Sequence, residues 1–190
     1  MFDHGVAALD YSLPWSSVLA QLKFQQDPAL AHALANLMLP SILQQWQLKP
    51  RPGQPALQRL RAGAPSLIVP VPLSAQRLQE RGYNQAGLLA QQLGKQLRLP
   101  VNTHVLAKPR HTPRLMSLHA QERQQRIRGA FTVAPANQQA LKNRHVAVVD
   151  DILTTGATLN EISRVLWQAG AREISVWVVA RTPRSHQTPP

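Results

Sequence analysis

The sequence predicts an α/β fold: a mainly parallel sheet flanked by helices, with a small helical section ahead of it. Three observations carry this. From residue 66 onward, short β-branched apolar runs alternate with amphipathic stretches, the pattern of strand–helix–strand units. Val146, Ala147, Val148 and Val149 are apolar without interruption, as in a strand covered on both faces. The length, 190 residues, suits one domain with an N-terminal attachment.

The elements follow in chain order. AALDY (7–11) reads as a short strand or extended lead-in, and Pro14 stands where a helix can begin, because proline tolerates the first turn. Val18, Leu19 and Leu22 give that helix one apolar face, and Lys23 and Phe24 close it. QDPALAHALANLMLP (26–40) starts a second helix, with Asp27 as N-cap and Pro28 at the first helical position. Leu30, Leu34, Leu37 and Met38 recur in it at helical spacing. The proline- and glycine-rich stretch 48–66 reads as a connecting loop with a little helix around 57–60. SLIVPVP (66–72) is a buried strand entering a constrained loop, and NQAGLLAQQLGKQLRL (84–99) a helix with Leu88, Leu89, Leu93 and Leu97 inward. VNTHVLAK (101–108) and AFTV (130–133) suggest strands on either side of an arginine-rich stretch. RHVAVVDD (144–151) is a strand, ATLNEISRVLWQAG (157–170) a helix and EISVWVVART (173–182) a strand. The chain thus divides into an N-terminal helical section (1–65), an α/β core (66–182) and a frayed tail (183–190).

Composition sets outer bounds. Lys and Arg number 21 against 9 acids, a formal charge of +12. That balance favours polyanionic partners such as nucleic acid or a multiply phosphorylated small molecule, and equally fits a generally basic surface. There are no cysteines, which excludes disulfides and thiolate metal sites and fits a reducing compartment. The start, MFDHGVAALDYSLPW, lacks the basic head and apolar run of a signal peptide. No run approaches the roughly 18 apolar residues that span a bilayer. A soluble, cytoplasmic protein without membrane insertion is expected.

The chemistry concentrates in VAVVDDILTTGATL (146–159). Ligands of parallel sheets bind beyond the carboxyl ends of the strands, where Asp150 and Asp151 would lie. Residues 152–157 would turn into a helix, whose first N–H groups and dipole suit a phosphate. Thr154, Thr155 and Thr158 add hydroxyl donors, and Gly156 allows close approach or positive φ. The two carboxylates would repel a phosphate but can accept hydrogen bonds from vicinal hydroxyls, so a ribose 5-phosphate is the economical ligand. No lysine follows the glycine and no G-x-G-x-x-G is present, so the nucleotide-binding motifs built on those do not apply. Helix capping alone would explain one acid and one threonine, not two acids and three hydroxyls.

That stretch closely resembles the phosphoribosyl pyrophosphate (PRPP) signature of type I phosphoribosyltransferases. The resemblance implies that Asp150 and Asp151, the catalytic pair, contact the ribose hydroxyls. It makes Thr154, Thr155, Gly156, Ala157 and Thr158 the 5-phosphate loop, and the N-terminal section a hood over the sheet. VPVPLSAQRLQERGYNQAGLLA (69–90), RLMSLHAQERQQRIRGAF (114–131) and LDYSLPWSSVLAQLKFQQDPALA (9–31) resemble the ComF/GntX family of competence-associated, phosphoribosyltransferase-like proteins. Many such proteins begin with a four-cysteine zinc module; this chain has no cysteine, so no zinc is expected and any zinc-dependent partner contact is in question.

The same resemblance assigns the loop after the 67–71 strand to pyrophosphate, with Val71, Pro72, Leu73, Arg77 and Arg81 as candidates. Backbone N–H groups and guanidinium forks suit its oxygens. Arg77 and Arg81, four apart, equally fit a solvated helix face. Tyr83, Asn84 and Gln85 belong to the family block without an assigned chemistry, although Asn84 suits an N-cap. The basic stretch 108–128, with Lys108, Arg123 and Arg126, is by analogy a mobile loop closing over PRPP, or else a nucleic-acid contact. The resemblance thus implies Mg²⁺ with PRPP, an unidentified acceptor base and transfer of 5-phosphoribosyl. The alternative is a non-catalytic adaptor or sensor in DNA uptake, with single-stranded DNA or uptake proteins as partners. No metal ligand set of side chains alone is expected.

Overall fold

A computed structural model describes residues 1–24, 29–46, 63–109 and 127–183. In chain order the elements are β1 (His4–Asp10), α1 (Trp15–Phe24), α2 (Ala29–Gln45), β2 (Leu67–Pro70), α3 (Ala75–Arg81), α4 (Gln85–Leu97), β3 (Leu106–Ala107), β4 (Thr132–Val133), α5 (Pro135–Gln138), β5 (His145–Leu153), α6 (Ala157–Gln168) and β6 (Glu173–Arg181). The main sheet runs β1-β6-β5-β2, parallel throughout. Val148 on the inner strand β5 pairs Val69 on one side and Val176 on the other.

Side chains alternate across a strand, and here the alternation builds two cores. Val146, Val148, Val176 and Val178 join Phe131, Leu141 and the α6 residues Leu159, Ile162 and Leu166. Ala147, Val149, Trp177 and Val179 join Leu19 and Leu22 of α1, Leu34, Met38 and Ile42 of α2, and Leu89 and Leu93 of α4. Both faces are therefore covered, as the uninterrupted apolar run predicts. Gly94 of α4 brings the next segment close: a Cβ there would clash with the Val101 side chain. Val101 in turn forms an isolated parallel bridge to Ile68 of β2.

Several boundaries differ from the sequence reading. The short strand read at 7–11 starts earlier, as the edge strand β1 (His4–Asp10) parallel to β6. The helix quoted to Pro40 continues to Gln45 with Pro40 inside it. An interior proline costs about 3 kcal/mol. Burying Met38 and Ile42 on either side contributes about 1.5–3 kcal/mol each and outweighs it. Leu37, placed inward by spacing, is exposed. The strands expected over 101–108 and 130–133 shrink to the antiparallel β3–β4 pair. β5 extends to Leu153 because β6 provides Ala180 and Arg181 opposite Ile152 and Leu153. Asp27 and Pro28, the short helix around 57–60, and the tail beyond residue 183 lie outside the described residues.

At the amino edge, buried His145 fastens the returning chain to the sheet. Its Nδ1–H donates to the Gly63 carbonyl at 2.8 Å, and the Trp46 Nε1–H donates to the same carbonyl at 3.0 Å. Nε2 accepts from the Ser175 hydroxyl at 2.7 Å, which requires the neutral ring. Burial pushes the His145 pKa down, against the attraction of Glu173.

Candidate functional site

β5 carries the acid pair to the carboxyl edge of the sheet. Asp151 is buried, with its Oδ2 2.9 Å from the Lys23 ammonium of α1. Asp150 Oδ1 accepts the Asp151 backbone N–H at 2.9 Å. Burial first, and the adjacent Asp151 charge second, push the Asp150 carboxyl well above the usual carboxylate range; Lys23 and that N–H pull the other way.

Beyond Leu153 the chain turns through Thr154, Thr155 and Gly156 into α6. Gly156 has φ 77°, the left-handed region open to glycine. Thr154 and Thr155 are exposed, while Ala157 and Thr158 are half-buried. The turn therefore sits on the amino end of α6, where the first N–H groups have no intrahelical acceptor and the dipole is positive. Asn160, unremarked in the sequence, lies against this turn. A Cβ on Gly156 would be 3.6 Å from its Nδ2, and its Oδ1 is buried without a protein partner among the described residues.

Cations approach from the other side. The loop after β2 is pinned: the Val71 N–H donates to the Val149 carbonyl at 2.9 Å, and Asn84 Nδ2 donates to the Val71 carbonyl at 3.0 Å. Pro72 and Leu73 are half-buried and lead into α3, which carries Arg77 near its start and Arg81 at its end. Lys108 is assigned by sequence to the basic loop, but it follows directly on β3 and lies over the Phe131 ring, 5.2 Å from its centroid. Its pKa is lowered to about 8, by burial first and by Arg77 second, with Asp150 opposing. Arg77, Lys108 and Asp150 thus share one electrostatic neighbourhood. Arg81 is half-buried. Arg123 and Arg126, and the rest of 110–126, lie outside the described residues.

Glu161 links the two flanks. It accepts the Gly129 N–H at 2.7 Å and pairs Arg164 at 2.7 Å, so the approach to Phe131 is fastened to the helix that begins at the threonine turn. The Arg164 hydrogen bond, chiefly, holds the Glu161 carboxyl below its ordinary value despite burial. Among the described residues, no three His, Cys, Asp or Glu side chains group as a metal site. No helix there is long and apolar enough to cross a membrane.

A parallel sheet, with an acid pair at the carboxyl end of an inner strand and a threonine turn onto the next helix, defines a domain of phosphoribosyltransferase type. The profile described as "Phosphoribosyl transferase domain" matches residues 78–189, and the chain belongs to that family, in the branch of the competence protein F, ComFC and YhgH homologues. It is 36% identical over 171 residues to "Competence protein F" of Haemophilus influenzae, covering 90% of this chain and 69% of that one. It is 32% identical over 177 residues to "DNA utilization protein YhgH" of Escherichia coli (strain K12), covering 93% and 71%. To "Competence protein ComFC" of Bacillus subtilis it is 31% identical over 120 residues, covering 61% and 45%.

Sequence reasoning missed Lys23, Phe131, Asn160 and Glu161. Each comes from an element distant in the chain or reads as an ordinary helix or core residue, so no local pattern marks it. Asn84 was legible as an N-cap, and its Oδ1 does accept the Ala86 N–H at 3.1 Å; its second bond, to Val71, was not.

Proposed function

We propose that the chain binds PRPP with Mg²⁺ and transfers its 5-phosphoribosyl group to a nitrogenous acceptor, releasing pyrophosphate. One observation carries this reading: the acid pair runs directly into a threonine turn on a helix N-terminus and shares its electrostatic neighbourhood with Arg77 and Lys108. In it Asp150 and Asp151 accept the ribose hydroxyls. Thr154, Thr155, Gly156, Ala157 and Thr158 take the 5-phosphate through N–H and O–H donors. The loop carrying Val71, Pro72 and Leu73, with Arg77, Arg81 and Lys108, takes the pyrophosphate.

Mg²⁺ suits the donor set in kind. It binds one or two carboxylates together with substrate phosphates rather than a cage of side chains, and Asp150 and Asp151 are hard oxygen donors. The ion would neutralise the departing pyrophosphate. The protein's own share is positional. Asp150 and Asp151 orient the sugar, and Lys108 and Arg77 face the charge that grows as the C1–O bond to pyrophosphate lengthens. The absence of cysteine is in keeping with a cytoplasmic setting.

A second reading has its own support. The relatives' printed names speak of competence and DNA utilization. In that reading the same site binds PRPP as a signal, without transfer, in a protein that serves DNA handling. Calorimetry with Mg²⁺-PRPP tests the site, and pyrophosphate release across a panel of nitrogenous bases separates the readings. Binding with release for one base supports transfer, binding without release for any base supports the sensor, and no binding rejects both.

A further inference from the structure

We propose that Tyr83 is a positioning residue of this site: its hydroxyl holds the last turn of α1 so that Lys23 stays on Asp151. The proposal rests on the reading of Asp151 as a sugar contact.

Leu22 lies in the last turn of α1, which ends at Phe24. The Tyr83 O–H donates to the Leu22 carbonyl. The Leu22 side chain is fully buried in the core beneath α1. Leu22 is thus fixed at both its side chain and its carbonyl, and Lys23 is the next residue.

A lysine has a long, flexible stem, and holding its ammonium in one place costs rotamer entropy. Fixing the backbone beside it reduces the positions available. The pair it makes is more than a surface contact: Lys23 keeps 22% of its side-chain exposure and Asp151 keeps 6%. Lys23 therefore sets how much negative charge the acid pair presents to a sugar hydroxyl.

The turn that carries Tyr83 is itself rigid. Gly82, at φ 75°, closes α3 by donating its N–H to the Leu78 carbonyl. Asn84 caps α4 and holds the Val71 carbonyl. Two neighbouring side chains of one turn thereby address both sides of the site. Asn84 sets the loop after β2, and Tyr83 sets the helix that supplies Lys23. This gives the Arg-Gly-Tyr-Asn segment at 81–84 a physical task.

A double-mutant cycle tests it. Tyr83→Phe removes only the hydroxyl. It should weaken Mg²⁺-PRPP binding about three- to tenfold, the effect of one hydrogen bond, and leave inorganic phosphate binding unchanged. In a Lys23→Met background the same substitution should have no further effect on PRPP, because the contact it positions is gone. Additive losses, or equal losses for PRPP and phosphate, would show a merely structural tyrosine. A ligand-free arm separates this inference from the reading beneath it. Side-chain ¹³Cε relaxation by NMR should show Lys23 ordered in the wild type and mobile in Tyr83→Phe. If Lys23 stays equally ordered in Tyr83→Phe, the positioning role is wrong. If it becomes mobile but the wild type does not bind PRPP, the positioning stands and the assignment of the sugar site fails.

Discussion

Lys108 and Phe131 face each other one step beyond the Ala107–Thr132 pair of the β3–β4 ribbon, with the ammonium 5.2 Å from the ring centroid. The ring shields a cation that also has Arg77 nearby, and its pKa falls to about 8. A bound polyphosphate favours the charged form and raises that value again. Binding therefore takes up a proton above pH 8. Mg²⁺-PRPP affinity should be flat near pH 7 and fall by up to about tenfold per unit above pH 8. Calorimetry at pH 7, 8 and 9 reads this directly, and Lys108→Met should be weaker at pH 7 and lose the alkaline decline.

The acid pair should show function opposed to stability. The raised Asp150 pKa means the folded state holds that proton more tightly than the unfolded chain does. The resulting stability is present at low pH and lost as pH rises through the folded value, so this carboxyl disfavours folding above the ordinary carboxylate range. Asp150→Asn keeps an oxygen for the Asp151 N–H and removes the charge. Its melting temperature at pH 7.5 should rise above that of the wild type, while the PRPP-induced increase in melting temperature is largely lost.

His145 works with the opposite sign. Its pKa is depressed by burial, so the unfolded chain binds the proton more readily. Stability is full above the ordinary histidine value and falls as pH drops through it. Denaturant unfolding at pH 7.5 and 5.5 should show this loss. His145→Gln should be about 1–3 kcal/mol less stable at pH 7.5, through the Gly63 and Ser175 partners left behind, with a smaller difference between the two pH values.

The sheet was legible because its signal is local. Val146 to Val149 and Val176 to Ala180 are apolar without interruption, as is the shorter Leu67 to Val69 run. The acid pair and threonine turn were legible because their order along the chain is their order in space. What escaped needed tertiary partners. β5 passes residue 151 only because β6 is there to pair with it, and α2 crosses Pro40 only because its apolar stripe is buried on both sides of that proline. Lys23 meets Asp151 across 128 residues of chain, and Lys108 leaves the arginine-rich stretch for a ring at 131. Neither contact leaves a trace in local spacing.

The most direct measurement is calorimetric titration of Mg²⁺-PRPP and of inorganic phosphate into the wild type, the Asp150→Asn/Asp151→Asn double variant and Thr155→Val. The wild type should bind PRPP. The double variant should lose at least about tenfold, or 1.4 kcal/mol, for PRPP and little for phosphate, because only the sugar contacts change. Thr155→Val should weaken both ligands. Failure of the folded wild type to bind PRPP, or equal losses for PRPP and phosphate in both variants, would contradict the division of this edge into a sugar-holding acid pair and a phosphate-holding turn.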